Sequence, residues 1–234
     1  MENKSIFWAG LAVMAGLAVV GISIPSAVKV MGSSQRTVSV RGVSEREVKA
    51  DKVIWPLQFT VAGNDLGQVY NDLESGNSAI VSFLRDGGIE EAEISVATPK
   101  ISDKYASEYG SNDRMYRYIA KSTVTVCTGS VDNVLALMKA QKNLLRKGIV
   151  LSNEWDSQPS FTYESLNSIK PEMIEEATKN ARESAQKFAD DSGSSLGKIR
   201  TASQGYFSID DRDSNTPEVK NVRVVTNVTY LLRN

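Results

Sequence analysis

The feature that most constrains this chain is an uncharged segment near its amino terminus, which runs from Ile6 to Ile24. A helix of about 20 apolar residues crosses the ~30 Å hydrocarbon core of a bilayer, and the segment just reaches that length. Lys4 precedes it, and positive charge on that side favours an amino terminus inside the cytoplasm. Trp8 lies near its start, where an aromatic ring suits the membrane interface. The sequence therefore predicts one transmembrane helix followed by an extracytoplasmic domain.

Two other interpretations of this segment stay open. A cleaved signal peptide has a shorter apolar core of about 7–15 residues, but small residues such as Gly21, Ser23 and Ala27 would permit cleavage. A buried core helix is disfavoured because the segment is apolar on every face. The predicted organisation is a cytoplasmic terminus at 1–5, a signal anchor or signal peptide at 6–24, a tether at 25–35 and one domain at 36–234.

Composition indicates an ordinary globular domain and narrows the classes of function. Hydrophobic residues make up 41% and charged residues 24%, as in typical folded proteins. The 27 Lys and Arg residues balance 28 Asp and Glu residues, and no basic cluster is available for nucleic-acid phosphates. Histidine, the commonest general base and metal ligand near neutral pH, is absent from the sequence. We therefore expect no nucleic-acid partner, no metal and no cofactor.

Hydrophobic periodicity predicts an α+β domain with a mainly antiparallel sheet and helices packed on it, in the order β-β-α-β-β-α-β-α-β-β. Pro56 cannot donate to a sheet ladder, so it predicts an edge or a bulge within its strand. Residues 103–113 are predicted as a hairpin loop. The predicted strands are 36–44, 52–62, one within 89–102, 115–128, 149–163 with an interruption, 196–209 and 219–232. The predicted helices are 65–86, 131–147 and 171–192.

Local signals set the ends of these helices. Asn64 or Asp65 is predicted to cap the first helix, and Gly87-Gly88 is predicted to end it. Pro171 is predicted to lie in the first turn of the third helix, where its missing N–H costs nothing. The predicted apolar stripe of that helix comprises Ile174, Ala177, Ala181, Ala185 and Phe188.

Several short motifs occur in a fixed order along the domain. They are Val38-Ser39-Val40-Arg41-Gly42, Leu84-Arg85-Asp86-Gly87-Gly88-Ile89 followed by Glu93-Ile94-Ser95, Tyr116-Arg117-Tyr118 ahead of Ser122-Thr123-Val124-Thr125-Val126, and the helix Ala177–Ala189 running into Leu196-Gly197-Lys198-Ile199. In this order and spacing they resemble the SIMPL domain family (DUF541), which includes bacterial periplasmic immunogenic and oxidative-stress defence proteins. The resemblance covers about residues 36–232, and the Trp55-Pro56-Leu57 run departs from the plain strand expected there.

The resemblance implies a single-pass protein of a bacterial cell membrane whose domain is periplasmic, or a protein secreted to the periplasm if the first segment is cleaved. It also implies a ring-like oligomer with a role in the cell envelope or in oxidative-stress physiology. The family supplies no catalytic residue that could be carried over to this chain.

The tyrosines Tyr105, Tyr109, Tyr116 and Tyr118 gather around one predicted hairpin. Tyrosine is enriched at protein interfaces because it combines an apolar ring with a polar hydroxyl. Packing within the strands, ligand stacking and contact with another protein all remain open for them. We predict these four residues as the contact surface for an oligomer or a partner.

Two further features are predicted to be structural. Cys127, the single cysteine, has no histidine to activate it and alternates with Thr123 and Thr125, so we predict a small packed side chain. The run Asp210-Asp211-Arg212-Asp213 lacks the glycine and final glutamate of an EF-hand loop and is predicted as a solvated hairpin tip.

Three hypotheses for function follow. The first is a non-enzymatic, membrane-anchored scaffold or adaptor that forms homo-oligomers through strand edges. The second is an extracytoplasmic sensor that binds a ligand in a groove between sheet and helices. The third is an enzyme that uses paired carboxylates, for which the sequence offers no distinctive constellation.

Overall fold

The computed structural model describes Met14, residues 36–107 and residues 115–233. Apart from Met14, the predicted anchor and tether lie outside these described residues, as does Tyr109. No helix within the described part of the chain is long and apolar enough to cross a bilayer.

The described residues form an α+β structure, which confirms the predicted fold class. The strands are β1 (Thr37–Lys49), β2 (Lys52–Gly63), β3 (Ile94–Val96), β4 (Lys100–Asp103), β5 (Tyr118–Thr128), β6 (Ser160–Thr162), β7 (Ser195–Gln204), β8 (Ser208–Asp211) and β9 (Val219–Arg233). The helices are α1 (Leu66–Asp86), α2 (Lys104–Ser107), α3 (Val131–Ala140), α4 (Lys142–Arg146) and α5 (Leu166–Asp191).

The strands form two sheets. One has the order β1-β9-β7, with β8 also paired with β9, and the other has the order β3-β5-β2-β6, with β4 also paired with β5. Every pairing whose register is resolved is antiparallel, as predicted. The described chain divides into a first unit of residues 36–43, 176–205 and 225–233 and a second unit of residues 44–175 and 206–224. Because β1, α5 and β9 are long, each contributes residues to both units.

The second unit is built on the long ladder between β2 and β5, and α1 packs against it. The Asp65 carboxylate caps α1 by accepting from the backbone N–H of Gln68 at 2.7 Å. Gly88, at a φ of 84°, ends the helix, so both predicted signals are confirmed. The core combines alternate strand residues with one helix stripe, and its fully buried members include Leu57, Leu73, Ile80, Leu84, Val124, Val126 and Leu144.

In the first unit, α5 lies unusually close to β1. Ala181, Ala185 and their neighbours at the same spacing, Ala177 and Ala189, are all 0% exposed. A Cβ added to Gly42 of β1 would lie 1.8 Å from the carbonyl oxygen of Ala177. The helix backbone therefore rests on the strand at the one residue without a side chain. This register places Phe188, predicted to be part of the buried stripe, on the outside with 59% of its surface exposed.

The predicted start of the third helix is wrong. Helix α5 begins at Leu166, so Pro171 lies inside it rather than in its first turn. The backbone N–H groups of Glu164 and Ser165 donate to the two carboxylate oxygens of Asp51, at 2.7 and 2.8 Å. Asp51 lies between β1 and β2. A residue distant in the sequence therefore holds the two residues that precede α5, and the helix begins directly after them.

Other predicted elements are shorter than expected. The helix predicted at 131–147 divides into α3 and α4, because the N–H of Gln141 turns back to Met138, three residues earlier. The strand predicted at 149–163 is reduced to a bridge at Leu151 and the short β6. The strand predicted at 196–209 divides into β7 and β8.

Pro56 lies within β2, which is paired on both sides rather than at the edge of its sheet. On one side it lies opposite Thr125 of β5. On the other side β6 pairs only with residues 52–54, so no described strand adjoins β2 at Pro56 itself. The prediction of an edge strand or a bulge at Pro56 is therefore wrong, because β2 has a strand on each side and an unbroken register against β5. The missing N–H of proline is tolerated at a local gap on the other side.

We expect Gly42→Ala to destabilise the protein by about 1–3 kcal/mol or more, because a methyl group there would push the α5 backbone away from β1. Thermal or urea unfolding measures the change. Gly67→Ala is the matched control. Gly67 lies in the first turn of α1, where a Cβ would meet only the capping carboxylate of Asp65 at 3.2 Å, so the same change should cost much less than Gly42→Ala. Equal stability of the two variants would contradict the close packing of α5.

Candidate functional site

Three of the four predicted tyrosines, Tyr105, Tyr116 and Tyr118, lie at the base of a hairpin. The ladder between β4 and β5 ends at the pair Asp103 and Tyr118, and the N–H of Lys104 donates to the carbonyl oxygen of Arg117 at 2.8 Å. Asn64 holds the returning strand, because its side chain accepts from the N–H of Arg117 at 2.8 Å and donates to the carbonyl oxygen of Met115 at 3.3 Å. The stem of the hairpin is therefore fixed to the end of β2.

Arg117 is the centre of this stem. Its guanidinium donates to both carboxylate oxygens of Asp103, at 2.9 to 3.2 Å. Its Cζ atom also lies 4.9 Å from the centre of the Tyr118 ring and 5.7 Å from that of Tyr105. The hydrogen bond from Arg117 lowers the pKa of Asp103, and the same bond raises the pKa of Arg117. The ion pair and the two rings together hold the arginine in one orientation.

The tyrosines of the stem differ in their surroundings. Tyr105 and Tyr116 are 59% and 44% exposed, whereas Tyr118 packs against the core of the second unit. Met115 is 78% exposed beside them. The exposed surface of the stem thus comprises Tyr105, Met115, Tyr116 and Arg117. The sequence placed Arg117 in a motif but gave no sign of its role, because that role depends on Asp103 across the hairpin.

A groove lies between β2 and α1 in the second unit, with a volume of about 380 Å³. Phe59 and Thr60 of β2, Gly76 and Ala79 of α1, and the segment 147–150 line it. A Cβ at Gly76 would lie 2.5 Å from the Phe59 ring, so the ring lies directly against the helix backbone. We refer to this site as the β2–α1 groove. It has both apolar and polar walls, and polar groups make up the larger part of its surface.

Cys127 is exposed, so the predicted packing of its side chain is wrong. The predicted alternation is confirmed, but Cys127 lies on the outward face of β5. It lines a shallow depression of about 370 Å³ together with Lys52 and Glu164, which form an ion pair at 2.8 Å. Asp51 is at the same place, and hydrogen bonds from Ser165 and Glu164 lower its pKa despite the opposing effect of burial.

The acidic run at the end of β8 forms a turn, in agreement with the predicted hairpin tip. Asp213 accepts from the backbone N–H groups of Asn215 and Thr216 at 2.8 and 2.9 Å, and from the Thr216 hydroxyl. These bonds lower the pKa of Asp213 to about 2. The carboxylate therefore organises its own turn. Across the described residues, no cluster of three or more Cys, Asp or Glu side chains could hold a metal ion.

Comparison with known protein families gives a match. A family model described as "SIMPL: Protein of unknown function (DUF541)" matches residues 38–230, which is most of the chain and confirms the resemblance inferred from its motifs. A search of curated proteins returned no match.

We expect Arg117→Ala to raise the pKa of Asp103 towards the ordinary value of about 3.9, because the carboxylate loses its charged donor. NMR titration of the Asp103 carboxyl carbon measures this shift. In the native protein the lowered pKa of Asp103 stabilises the fold to its full extent when the pH is above the pKa of this residue in the unfolded chain. This stabilisation is lost as the pH falls through the lowered pKa of the folded state.

Arg117→Lys is the matched variant, because it keeps the charge but loses the two-pronged geometry and the ring contacts. It should leave the pKa of Asp103 between those of the native protein and Arg117→Ala. An Asp103 pKa that is the same in all three proteins would contradict the ion pair.

Proposed function

Because the chain belongs to the SIMPL family, whose function is unknown, we propose that it is a membrane-anchored, non-enzymatic domain that assembles with copies of itself as a scaffold or adaptor of the bacterial envelope. A contribution to stress defence is part of this proposal. The observation that carries it is the exposed edge of β7. This strand has ten residues, nearly all exposed, and within the described residues it pairs only with β9.

An open strand edge offers unpaired backbone groups to another chain. The N–H of Gly205 donates to the carbonyl oxygen of Val225 on the β9 side, at 2.8 Å. Backbone groups alternate in direction along an antiparallel strand, so those of Ala202 and Gln204 point to the open edge. An added strand from a second copy would pair with these residues.

The other half of β7 limits this pairing. Its register against β9 shifts between Leu196 and Thr201, and bulges of this kind interrupt an edge. Lys198 and Arg200 also lie in this half, and positive charge on an edge discourages indiscriminate pairing. Such an edge favours one specific partner over general aggregation, as an ordered assembly requires.

The proposal of a non-enzymatic role is supported by the state of the carboxylates. The resolved pKa shifts of Asp51, Asp103 and Asp213 are all downward and arise from hydrogen bonds that hold loops or helix ends. A carboxylic acid that serves as a general acid near neutral pH needs a raised pKa. These groups are suited to structure rather than to proton transfer.

The proposed anchor is the apolar segment from Ile6 to Ile24, which would place the domain on the periplasmic side. An anchor confines copies to two dimensions and raises their local concentration, so a weak edge contact would suffice for assembly.

A second candidate function is a ligand-binding sensor. The observation that favours it is the β2–α1 groove, which combines the apolar Phe59 and Ala79 with the charged Lys147. Its volume of about 380 Å³ lies within the range of ~300–1,000 Å³ that is usual for ligand pockets.

We expect the full chain in mild detergent, and residues 36–234 in buffer, to form a discrete multimer whose mass is measured by light scattering over a concentration series. Ala202→Pro should shift this equilibrium towards the monomer, because it removes an N–H from the open edge of β7 and leaves the β9 ladder intact. Ala62→Pro is the matched control, since it makes the same change in a different strand. A monomer at every concentration would refute assembly, and identical behaviour of the two variants would exclude β7 as the contact.

We expect the full chain to remain in the membrane fraction after an alkaline wash, and deletion of residues 1–35 to release it, because the apolar segment supplies the anchor. Fractionation and immunoblotting measure the distribution. Mass spectrometry of the mature amino terminus distinguishes a retained anchor from a cleaved signal peptide. A full chain that is wholly soluble and uncleaved would contradict both interpretations.

A further inference from the structure

One edge of β2 is only partly occupied. Its first edge pairs with β5 from Val53 to Gly63. On the second edge, β6 pairs with residues 52–54 and Leu151 bridges to Phe59. Beyond Phe59, no strand in the described part of the chain continues this edge.

The open part of the edge presents backbone groups in a known direction. The N–H of Ser152 donates to the carbonyl oxygen of Gln58 at 2.6 Å, so Gln58 points to the second edge. Directions alternate along an antiparallel strand, and both backbone groups of one residue point the same way. Thr60 and Ala62 therefore direct their N–H and C=O groups to this edge.

The β2–α1 groove lies beside these groups. Thr60 and Val61 form its strand side, and Gly76 and Ala79 form its helix side. An added strand would project alternate side chains to the two faces of the sheet, and one of them would enter the groove against Ala79 and Ile149. The groove thus places the open backbone groups of β2 beside a mostly polar depression whose lining includes Ala79 and Ile149.

The charges at the groove are not equivalent. Asp72 already accepts from the Gln68 amide at 2.7 Å. Lys147 lines the groove, is exposed and forms no ion pair with any carboxylate of the described residues. An unpaired ammonium group at this groove favours a ligand that carries a carboxylate.

We propose that the β2–α1 groove binds an extended peptide segment of a partner protein, which adds a strand to the open edge of β2. The peptide pairs with the backbone of Thr60 and Ala62, inserts one apolar side chain against Ala79 and Ile149, and places a carboxylate at Lys147. Strand addition of this kind gains affinity from main-chain bonds and specificity from the pocket. The proposal names a ligand for the sensor or adaptor role and does not depend on assembly through β7.

A peptide satisfies this site better than a compact small molecule. The groups to be matched are regularly spaced backbone donors and acceptors on one side of β2, and only another extended backbone repeats at the same interval. The carboxylate could be a peptide's own carboxyl terminus or an acidic side chain, and the two share the same chemistry at Lys147.

Three pools of fluorescein-labelled hexapeptides test the proposal with the full chain in detergent. Each pool has degenerate positions followed by Val, Leu, Ile or Phe. One pool ends there with a free carboxylate, one ends there with an amide, and one carries an added internal Glu and an amide. We expect fluorescence polarisation to show binding of one of the two acidic pools. The pool with the neutral amide should bind at least about tenfold more weakly. The acidic pool that binds identifies the source of the carboxylate.

Two variants locate the binding. Ala62→Pro removes an N–H from the open edge, and Lys147→Glu reverses the charge; each should weaken binding by about tenfold or more. Lys142→Glu is the control for charge, because Lys142 is an exposed lysine that does not line the groove. Ala202→Pro is the control for proline, and it should bind the peptides as the native protein does even if assembly through β7 fails.

Two outcomes would overturn the proposal. The first is equal polarisation with all three pools or no binding of any pool. The second is binding that is unchanged in both Ala62→Pro and Lys147→Glu, which would place the peptide on another surface. If Ala62→Pro fails to fold, Lys147→Glu against Lys142→Glu decides the question alone.

Discussion

The close approach of α5 to β1 is the constraint on which the first unit depends. Alanines repeat every four residues along α5, and their small side chains let the helix backbone come within contact of Gly42. The Asn180 side chain then donates to the carbonyl oxygen of Val43 at 2.9 Å, which fixes the helix along the strand. Since the core of this unit contains few other buried residues, its stability rests on shape rather than on the amount of apolar surface. Residues larger than alanine on this stripe would push the α5 backbone away from β1, and glycine is the single smaller residue type.

The sequence predicts those parts of the fold whose signals are local. Period-two and period-3.6 patterns place β2, α1 and β9 almost at their observed ends, and the cap at Asp65 lies next to the helix that it serves. The start of α5 could not be predicted in this way, because Asp51, which is 113 residues away from Glu164, holds the two residues before the helix. Cys127 shows a related limit: alternation separates two faces of a strand but does not tell which face is covered.

The candidate sites show the same division. Tyrosine spacing was enough to place Tyr105, Tyr116 and Tyr118 on one hairpin. The role of Arg117 could not be predicted, because it depends on the ion pair with Asp103 across the hairpin. The groove beside β2 has no sequence signature, because it lies where no described strand pairs with the second edge of β2. Residues 149–163 have the composition of a strand, yet only Leu151 and β6 pair with β2. The edge of β2 is open where the rest of this predicted strand does not pair with it.

The position of β9 links the order of synthesis to the order of folding. β1 is the first described strand and β9 the last, and they are neighbours: the N–H of Leu232 donates to the carbonyl oxygen of Arg36, and the hydroxyls of Ser39 and Thr229 meet across 190 residues of sequence. A ribosome delivers β1 long before its partner exists. The four-stranded sheet therefore closes only when the final strand has emerged, which makes its folding late and rich in distant contacts. Because β1, β7 and β8 all pair with β9, a chain that is cut short before Val219 loses the whole sheet rather than one strand of it.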